Sequence, residues 1–576
     1  MAARYWVGGS GTWNNISSTN WALTSGGAGG NSPPGSGDDV FIDSNSGGGT
    51  ATVAANLNIH SLTVSAATLA CGTYSITIGT SFTSMGGSCT ASGLWDVGST
   101  FSAGTGTVSM SGATIQLDGY SFSGGANTYG TLKVTTLSTV SIAGGSTFTN
   151  FTSSNNSFRQ ISFSGTTVIG TLSAGNYSAY SDSPDFIVGP ATLNVTSCSI
   201  VAACFQNITA SGNAISGTYI GNMGGNTNVS TSGARTVYMV VSAANKNWTQ
   251  VWANSTGGIP SPAYAPLPQD NCVIDNNSGN NGGYTVTIGG APTSGYVGSL
   301  SIGATTQPSI TGNIYLTVAT LFASASGTYG TNPSITMYTL SASTLNITPS
   351  TITWAGFSIS PWNNNASTYT MLAALNTSGF TQNAGTFKGN SWPVNTTTVY
   401  AYGGTVDGTS IFNCSGTGTA FYASGATVNG ASVHLTDTSS SGKTFVGGGQ
   451  TYALYLDGGA GPGCTYTISD ANTFNLLSTN CTKANTVVFP STGTTHVGTW
   501  ALNGHAGQLI TIQGSSGNWN LAKNGGGTVA GSYLDVINSQ ASPAATWYAS
   551  YSTDGGGNTG WIFGLLGAKG NFFQFF

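Results

Sequence analysis

The sequence contains no glutamate, so its 15 acidic residues are all aspartates. Charged residues make up only 4% of the chain, against about 25% in ordinary globular proteins. The ten basic residues are scattered singly, and the net charge is −5. Binding to nucleic acid requires a basic surface that neutralises phosphates. The charge pattern therefore excludes a nucleic-acid partner.

Three further features are missing from the sequence. No run of eighteen apolar residues occurs, so we expect no transmembrane helix and no membrane insertion. The first residues, "MAARYWVGGSG", lack the apolar segment of a Sec signal peptide. The eight cysteines form no CxxC pair and no cluster with histidine, which argues against a zinc site. We expect no cofactor, with Ca²⁺ as the one alternative.

The chain is rich in glycine (86 residues), and 39% of its residues are hydrophobic and 11% aromatic. Disordered chains are poor in aromatic residues, so we expect this chain to fold. Runs such as "YSITIG" (74–79) and "QLITIQG" (508–514) alternate apolar and small polar residues between turn formers. This alternation is typical of β-strands, and long stretches of strong helix formers are missing. The sequence predicts an all-β protein.

One phrase of the sequence occurs twice. Residues 34–47 and 266–279 are identical at seven of fourteen positions, and two of the matches are aspartates, which are rare here. The repetition predicts a duplicated module. The expected domains are a first module with a Trp-rich N-terminal cap (1–233), a second module (234–500), and a C-terminal β region with an aromatic anchoring tail (501–576).

The favoured architecture is a parallel β-helix, or β-solenoid, built from the two modules. Cys71 and Cys89 lie 18 residues apart, and Cys464 and Cys481 lie 17 apart. Such intervals approach one coil, in which equivalent side chains stack on one another. Stacked buried thiols are the first interpretation of these cysteines, and disulfides are the second. The alternative fold is a string of β-sandwich domains, which has similar short strands.

Two regions resemble Gly/Ser/Thr-rich proteins encoded by tailed bacteriophages: "RYWVGGSGTWNN…NWALTSGG…PPGSGDDVFIDSNSG" (within 4–47) and "GNWNLAKNGGGTVAGSYLDVINSQASPAATWYASYSTDGGGNTGWIF" (517–563). Such proteins are generally virion fibres, spikes or surface decorations, and they are usually thought to be β-helical. The similar regions cover less than a quarter of the chain. No catalytic motif belongs to these phrases, so the resemblance assigns no catalytic residue.

The resemblance implies a non-enzymatic structural protein on the virion surface of a tailed phage, with a role in assembly or in adhesion to the host. Its expected partners are further copies of itself (for instance in a trimer), other virion proteins and a host-surface glycan. Two alternatives stay open. One is a tailspike-like enzyme that cleaves glycan, and the other is a cell-surface adhesin exported without a Sec signal.

The repeated aspartates have two interpretations. Asp43 with Asn45, and Asp275 with Asn277, offer the oxygen ligands that Ca²⁺ prefers. The favoured alternative is a turn in which each aspartate accepts hydrogen bonds from the following backbone. In that case the phrase occurs twice because the same structural turn is formed in both modules.

The sequence "SDSPDF" (181–186) holds the best candidate catalytic pair, Asp182 and Asp185. Glycosidases use two carboxyl groups, one protonated and one ionised. Pro184 makes a simple turn an equal alternative. For a Ser-His-Asp arrangement the sequence lacks a GxSxG elbow.

Two aromatic groups stand out. The end of the chain is its most apolar stretch, and a free aromatic tail would aggregate, so we expect it to anchor the chain in an assembly. Tryptophans crowd the start of each module; exposed, they would stack on glycan, and buried, they would cap the end of a solenoid. The candidate glycan-binding residues are Trp6, Trp13, Trp21, Trp248 and Trp252, and the candidate anchor residues are Phe572, Phe573, Phe575 and Phe576.

Overall fold

A computed structural model gives the fold of the chain. It describes residues 2–16, 18–135, 139–153, 160–175, 185–241, 246–279, 284–288, 295–303, 309–317, 321–323, 333–340, 342–349, 352–458 and 463–564.

Short strands dominate the described residues. The first 22 strands are β1 (Ala2–Trp6), β2 (Gly11–Trp13), β3 (Trp21–Ala22), β4 (Asp38–Ile42), β5 (Thr50–Val53), β6 (Leu57–Ile59), β7 (Ser61–Val64), β8 (Thr68–Ala70), β9 (Ile76–Ile78), β10 (Ser81–Ser84), β11 (Ser88–Thr90), β12 (Leu94–Val97), β13 (Thr100–Ser102), β14 (Thr107–Leu117), β15 (Ser121–Ser123), β16 (Thr128–Val134), β17 (Val140–Ala143), β18 (Thr147–Ser153), β19 (Gln160–Ala174), β20 (Asp185–Ile200), β21 (Ala203–Gly212) and β22 (Ile220–Asn222).

The remaining strands are β23 (Thr236–Met239), β24 (Lys246–Asn247), β25 (Trp252–Ala253), β26 (Asn271–Ile274), β27 (Thr285–Thr287), β28 (Tyr296–Val297), β29 (Ser299–Ile302), β30 (Ser309–Thr311), β31 (Asn313–Leu316), β32 (Leu321–Ala323), β33 (Ser334–Met337), β34 (Thr344–Thr348), β35 (Thr353–Trp354), β36 (Gly356–Ile359), β37 (Thr368–Met371), β38 (Leu375–Thr377), β39 (Gly379–Gln382), β40 (Thr386–Lys388), β41 (Pro393–Thr396), β42 (Thr398–Ala401), β43 (Thr405–Val406), β44 (Ile411–Cys414), β45 (Gly418–Tyr422), β46 (Thr427–Leu435), β47 (Lys443–Val446), β48 (Thr451–Leu456), β49 (Thr465–Ile468), β50 (Thr473–Thr479), β51 (Thr486–Phe489), β52 (Thr494–Ala501), β53 (Ile510–Gly514), β54 (Trp519–Lys523), β55 (Gly527–Ser532), β56 (Leu534–Val536), β57 (Ser539–Ala541), β58 (Ala545–Ser550), β59 (Thr553–Asp554) and β60 (Trp561–Phe563).

Helix is confined, in the described ranges, to three short 3₁₀ segments: Trp248–Gln250, Pro262–Tyr264 and Trp362–Asn364. None of the helices in these ranges is long and apolar enough to span a membrane.

The strands pair in parallel with strands one coil earlier and one coil later. Val40, Leu62, Phe82, Phe101 and Phe122 are successive partners in β4, β7, β10, β13 and β15. These partners lie 19 to 22 residues apart, which is the length of one coil. The predicted all-β solenoid is therefore confirmed, and the alternative of a string of β-sandwiches is wrong.

A second stack has the same construction. Phe357, Phe380, Val399, Phe421 and Phe445 are successive partners in β36, β39, β42, β45 and β47. All five side chains are buried. The alternation in each strand explains this, because every second side chain points into the core and the others point outward.

Glycine is required where coils turn tightly. Gly104 has φ +50°, and a Cβ at this position would lie 2.0 Å from the carbonyl oxygen of Ser84 in the preceding coil. No residue with a side chain fits here, since both the backbone conformation and the space exclude one.

The chain forms two compact units. The first comprises Met1–Val240, Asn247–Asn271 and Ile288–Tyr296, and the second comprises Val241–Lys246, Cys272–Thr287 and Val297–Phe576. The predicted division at 233/234 and the separate region 501–576 stay predictions.

The cysteines are free thiols, and seven of the eight are buried. Cys89 is the register partner of Leu69, so Cys71 lies diagonally from Cys89 rather than directly beside it. Burial and the neighbouring Cys89 raise the pKa of the Cys71 thiol well above its usual value. Buried thiols are confirmed, but Cys71 and Cys89 are not register partners.

Candidate functional site

The repeated aspartates form the same turn in both copies. Asp43 Oδ1 accepts a hydrogen bond from the backbone N–H of Asn45 (3.0 Å), and the Asp43 N–H donates to Ser46 Oγ (2.9 Å). Asp275 Oδ1 accepts the equivalent bond from the N–H of Asn277 (2.9 Å). The turn-capping interpretation is confirmed. Calcium binding by these residues stays a prediction, and the described residues contain no group of three or more metal-binding His, Cys or Asp side chains.

A second pair of equivalent aspartates, Asp38 and Asp270, lies within the two copies of the phrase. Asp270 is fully buried and pairs with the Arg235 guanidinium, with 2.5 Å between Oδ2 and Nη2. Asp38 makes a looser contact with Arg4, at 3.7 Å between Oδ2 and Nε, and both side chains are partly exposed. In each copy an arginine and an aspartate thus link the same two segments of the chain. This contact explains why these rare charged residues occur together twice.

The tryptophans proposed to bind glycan are buried. Trp13 meets Trp21 edge to face, with 4.9 Å between ring centroids, and Trp248 meets Trp252 in the same way at 4.7 Å. A sugar can stack only on an exposed ring, so the glycan-binding interpretation is wrong for these residues, and their burial agrees with the alternative role in the core. Each is at most 1% exposed: Trp6, Trp13, Trp21, Trp248 and Trp252.

Asp185, from the predicted catalytic pair, is a buried structural acid. Its Oδ2 accepts hydrogen bonds from the Ser153 hydroxyl and from the backbone N–H of Gly175 (3.0 Å). Its partner Asp182 lies outside the described residues, so the pairing stays a prediction. The four anchor residues Phe572, Phe573, Phe575 and Phe576 also lie outside them.

An Asp-His-Ser cluster lies on the first unit. Asp39 Oδ1 lies 2.7 Å from His60 Nδ1 and accepts a hydrogen bond from Ser61 Oγ (2.6 Å). These two hydrogen bonds lower the pKa of the Asp39 carboxyl below its usual value. Both partners bond to the carboxylate, whereas a catalytic triad requires the histidine to bond to the serine. The cluster therefore does not activate Ser61.

A pair of neighbouring acids that sequence reasoning missed lies on the outer face of the first unit. Asp96, Gln116 and Lys133 are register partners, and Gln116 links the other two side chains with hydrogen bonds of 3.3 Å each. Asp118 lies beside them and accepts a hydrogen bond from Thr135. Partial burial, the charge of Asp96 and a hydrogen bond with Asp96 raise the pKa of the Asp118 carboxyl above its usual value.

This pair predicts a stabilising substitution. The pKa of Asp118 is higher in the folded state than in the unfolded state. The folded state is therefore favoured while Asp118 is protonated, and this stabilisation is lost as the pH rises through the folded-state pKa. Asp118→Asn should therefore stabilise the protein at pH 7, by about 0.5 kcal/mol after solvent screening. Urea unfolding at pH 7 and pH 3 measures the effect, which should shrink at pH 3. A destabilised variant at pH 7 would contradict it.

The second unit carries a polar groove of about 340 Å³ on its outer surface. Asn376, Asn395 and Asn413 are register partners in β38, β41 and β44. Asn395 Nδ2 donates to Asn376 Oδ1 (2.8 Å), and Asn413 Nδ2 donates to Asn395 Oδ1 (2.7 Å). We call these three residues the amide ladder. The groove is lined by Thr353, Asn376, Thr377, Ser378, Asn395, Thr396, Thr397, Asn413, Ser415 and Thr436.

An aromatic pair continues the amide ladder. His434 is the register partner of Asn413, and Tyr455 is the partner of His434. The two rings stack with centroids 4.0 Å apart and planes 4° from parallel. Asp457 Oδ2 lies 2.6 Å from His434 Nδ1 and holds the imidazole in place. Amide and aromatic side chains thus share one outward row across five coils.

Comparisons with known proteins give no family. No protein-family model matches the chain, and neither a curated protein nor a solved structure was found to match it. The functional interpretation therefore depends on the chain's own sequence and geometry.

The sequence carries a signal for the amide ladder in a short repeated pattern. "LNTS" (375–378), "VNTT" (394–397) and "FNCS" (412–415) repeat one pattern, with asparagine after a buried apolar residue and a hydroxyl two positions later. The repeats lie 19 and 18 residues apart. In a chain rich in asparagine, serine and threonine, such a pattern is inconspicuous until register aligns it.

Proposed function

We propose that this chain is a non-enzymatic structural protein on the surface of a tailed-phage virion, where it serves assembly or attachment to the host. The resemblance of its sequence to phage fibre, spike and decoration proteins suggests the location. The proposed partners are further copies of the chain, other virion proteins and a host-surface glycan.

The use of the rare charged residues is the observation that carries the non-enzymatic proposal. Asp43 and Asp275 cap turns, and Asp270 is committed to Arg235. Asp437 bonds to Ser439 within its own turn and pairs with the buried Lys443. Catalytic sites depend on titratable groups in accessible positions. Here such groups mainly hold the scaffold together.

Glycan cleavage is the second candidate, and the pair Asp96 and Asp118 favours it, because a raised carboxyl pKa suits a general acid. Glycosidases, however, hold their carboxyl groups about 5 Å or more apart to accommodate the sugar. Asp118 instead accepts a hydrogen bond from Thr135, and Asp96 accepts one from Gln116, so both carboxyl groups are engaged by neighbouring side chains. Release of reducing ends from host polysaccharide, abolished by Asp118→Asn, would establish this alternative.

Purified particles test the proposed location. An antibody against the chain should label particles purified by density gradient in immunogold electron microscopy, and mass spectrometry should recover peptides of the chain from them. Labelling should disappear on particles of a phage in which the gene is deleted. Recovery of the chain only from the soluble fraction of the lysate would refute the proposal.

A further inference from the structure

We propose that the groove of the second unit, together with the Tyr455 ring, binds a neutral linear glycan that runs across the coils along the amide ladder. This inference rests on the proposed surface role, because only a chain displayed on the particle meets a glycan of the host surface. It replaces the buried tryptophans as the site of glycan recognition.

The amide ladder leaves hydrogen-bonding groups for a ligand. A carboxamide has two N–H donors and an oxygen with two lone pairs. Asn395 uses one donor toward Asn376 and one lone pair toward Asn413, so one of each is left over. Linked amides also polarise one another. The ladder therefore presents oriented donors and acceptors, the complement that sugar hydroxyls require.

A row of hydroxyl groups runs beside the ladder. Ser378, Thr397 and Ser415 are exposed and follow β38, β41 and β44. Thr397 Oγ1 donates to the Ser378 carbonyl oxygen, and Ser415 Oγ donates to the carbonyl oxygen of Thr396 (3.2 Å). Since the hydroxyl protons of Thr397 and Ser415 are committed to the backbone, the oxygens of these two hydroxyls remain as acceptors for hydroxyl donors of a sugar.

The spacing of the rows suits a polymer. Parallel strands in neighbouring coils lie about 4.8 Å apart, so the same amide and hydroxyl recur at that interval across β38, β41 and β44. This interval is close to the length of one sugar unit in an extended glycan. Successive units would therefore meet equivalent groups on successive coils.

Tyr455 supplies a stacking surface at one end. One face of its ring is covered by His434. On the other side its register partner is Ser478, whose small side chain covers less of the ring. The partly exposed ring offers an aromatic face of fixed orientation to the C–H groups of a sugar, since Asp457 also fixes the histidine beneath it.

The absence of charge in the lining selects the class of ligand. All ten residues that line the groove are uncharged, and beside the Tyr455 ring the Asp457 carboxylate is already paired with His434. An acidic polysaccharide would lose hydration of its carboxylates without gaining a cationic partner. A neutral glycan loses its hydration at a lower free-energy cost, and its hydroxyl groups find hydrogen-bond partners in the groove. The groove therefore favours neutral over acidic chains.

Binding of defined oligosaccharides tests the inference. The full chain would be immobilised and exposed to neutral gluco-, galacto- and mannohexaose, with hexagalacturonate as the acidic probe, and read by biolayer interferometry. At least one neutral hexaose should bind and the acidic probe should not. Asn395→Ala and Tyr455→Ala should each weaken binding about tenfold, the effect of losing roughly one hydrogen bond or one stacking contact.

Asn346→Ala is the matched control, because Asn346 is an exposed asparagine in β34 of the same unit, outside the groove. It should bind like the wild type, and circular dichroism should show all variants folded. Equal binding by the Asn395 and Asn346 variants, preference for the acidic probe, or no binding of any neutral hexaose would overturn the inference.

Immunogold labelling separates the two proposals. If particles are labelled but the chain binds no neutral hexaose, only the glycan-binding groove is refuted. If the chain binds a neutral hexaose but is absent from particles, only the virion location is refuted.

Discussion

Replacing Asp270 by alanine is expected to lower the free energy of unfolding of the first unit by about 3 kcal/mol. The carboxylate is fully buried, and it accepts hydrogen bonds from the Arg235 guanidinium and from the backbone N–H of Leu267 (2.9 Å). Its removal leaves the guanidinium and that N–H without their anionic partner in a largely dry site. Urea unfolding followed by tryptophan fluorescence measures the loss.

The duplicated phrase provides the control. Asp38 occupies the position equivalent to Asp270 and accepts the equivalent backbone bond, from Gly35 (3.0 Å). Its contact with Arg4 is 3.7 Å long and both groups are partly exposed, so Asp38→Ala should cost about 1 kcal/mol or less. Equal losses in the two variants would show that burial of the Asp–Arg pair does not determine how much the pair contributes to the free energy of unfolding.

Replacing Phe101 by alanine should cost about 3–5 kcal/mol. Its ring stacks on Phe122 with centroids 4.8 Å apart, lies 4.9 Å from Phe82, and meets Tyr129 edge to face at 5.7 Å. The substitution opens a cavity between coils that β13 cannot close, because its backbone is bonded to coils on both sides.

The damage should be local, because each coil of a solenoid contacts only its neighbours. Hydrogen exchange should therefore accelerate most in β10, β13 and β15 and much less in β21. Ser102→Ala changes the next side chain, which is only partly buried, and should alter stability by less than about 0.5 kcal/mol. Uniform acceleration throughout the first unit would contradict a local effect.

The all-β class followed from the sequence because alternation and glycine-rich turns are local properties. The turns at Asp43 and Asp275 were predictable for the same reason, since each aspartate bonds to the backbone two residues later. The two cysteines Cys71 and Cys89 were wrongly expected to stack directly on one another. Two cysteines on one wall can lie diagonally, and their spacing then differs from that of true partners.

The tryptophans show a second limit of sequence reasoning. Trp6 lies in a short strand whose neighbours are partly exposed, and nothing in "RYWV" indicates which side faces the core. The side is decided by pairing: β1 lies antiparallel to β3, which places Trp6 opposite Trp21 inside the unit. On the opposite face of the strand the same ring would have been exposed.

The sequence by itself determined that this protein is built from neutral, glycine-punctuated strands and that one Asp-containing joint occurs twice. Both conclusions rest on interactions within a few residues. Only the tertiary structure decided which residues become neighbours. Asn376, Asn395 and Asn413 form one ladder, and Asp96 meets Asp118, because parallel register joins residues about twenty positions apart. That register depends on the packing of whole coils, which no short segment encodes.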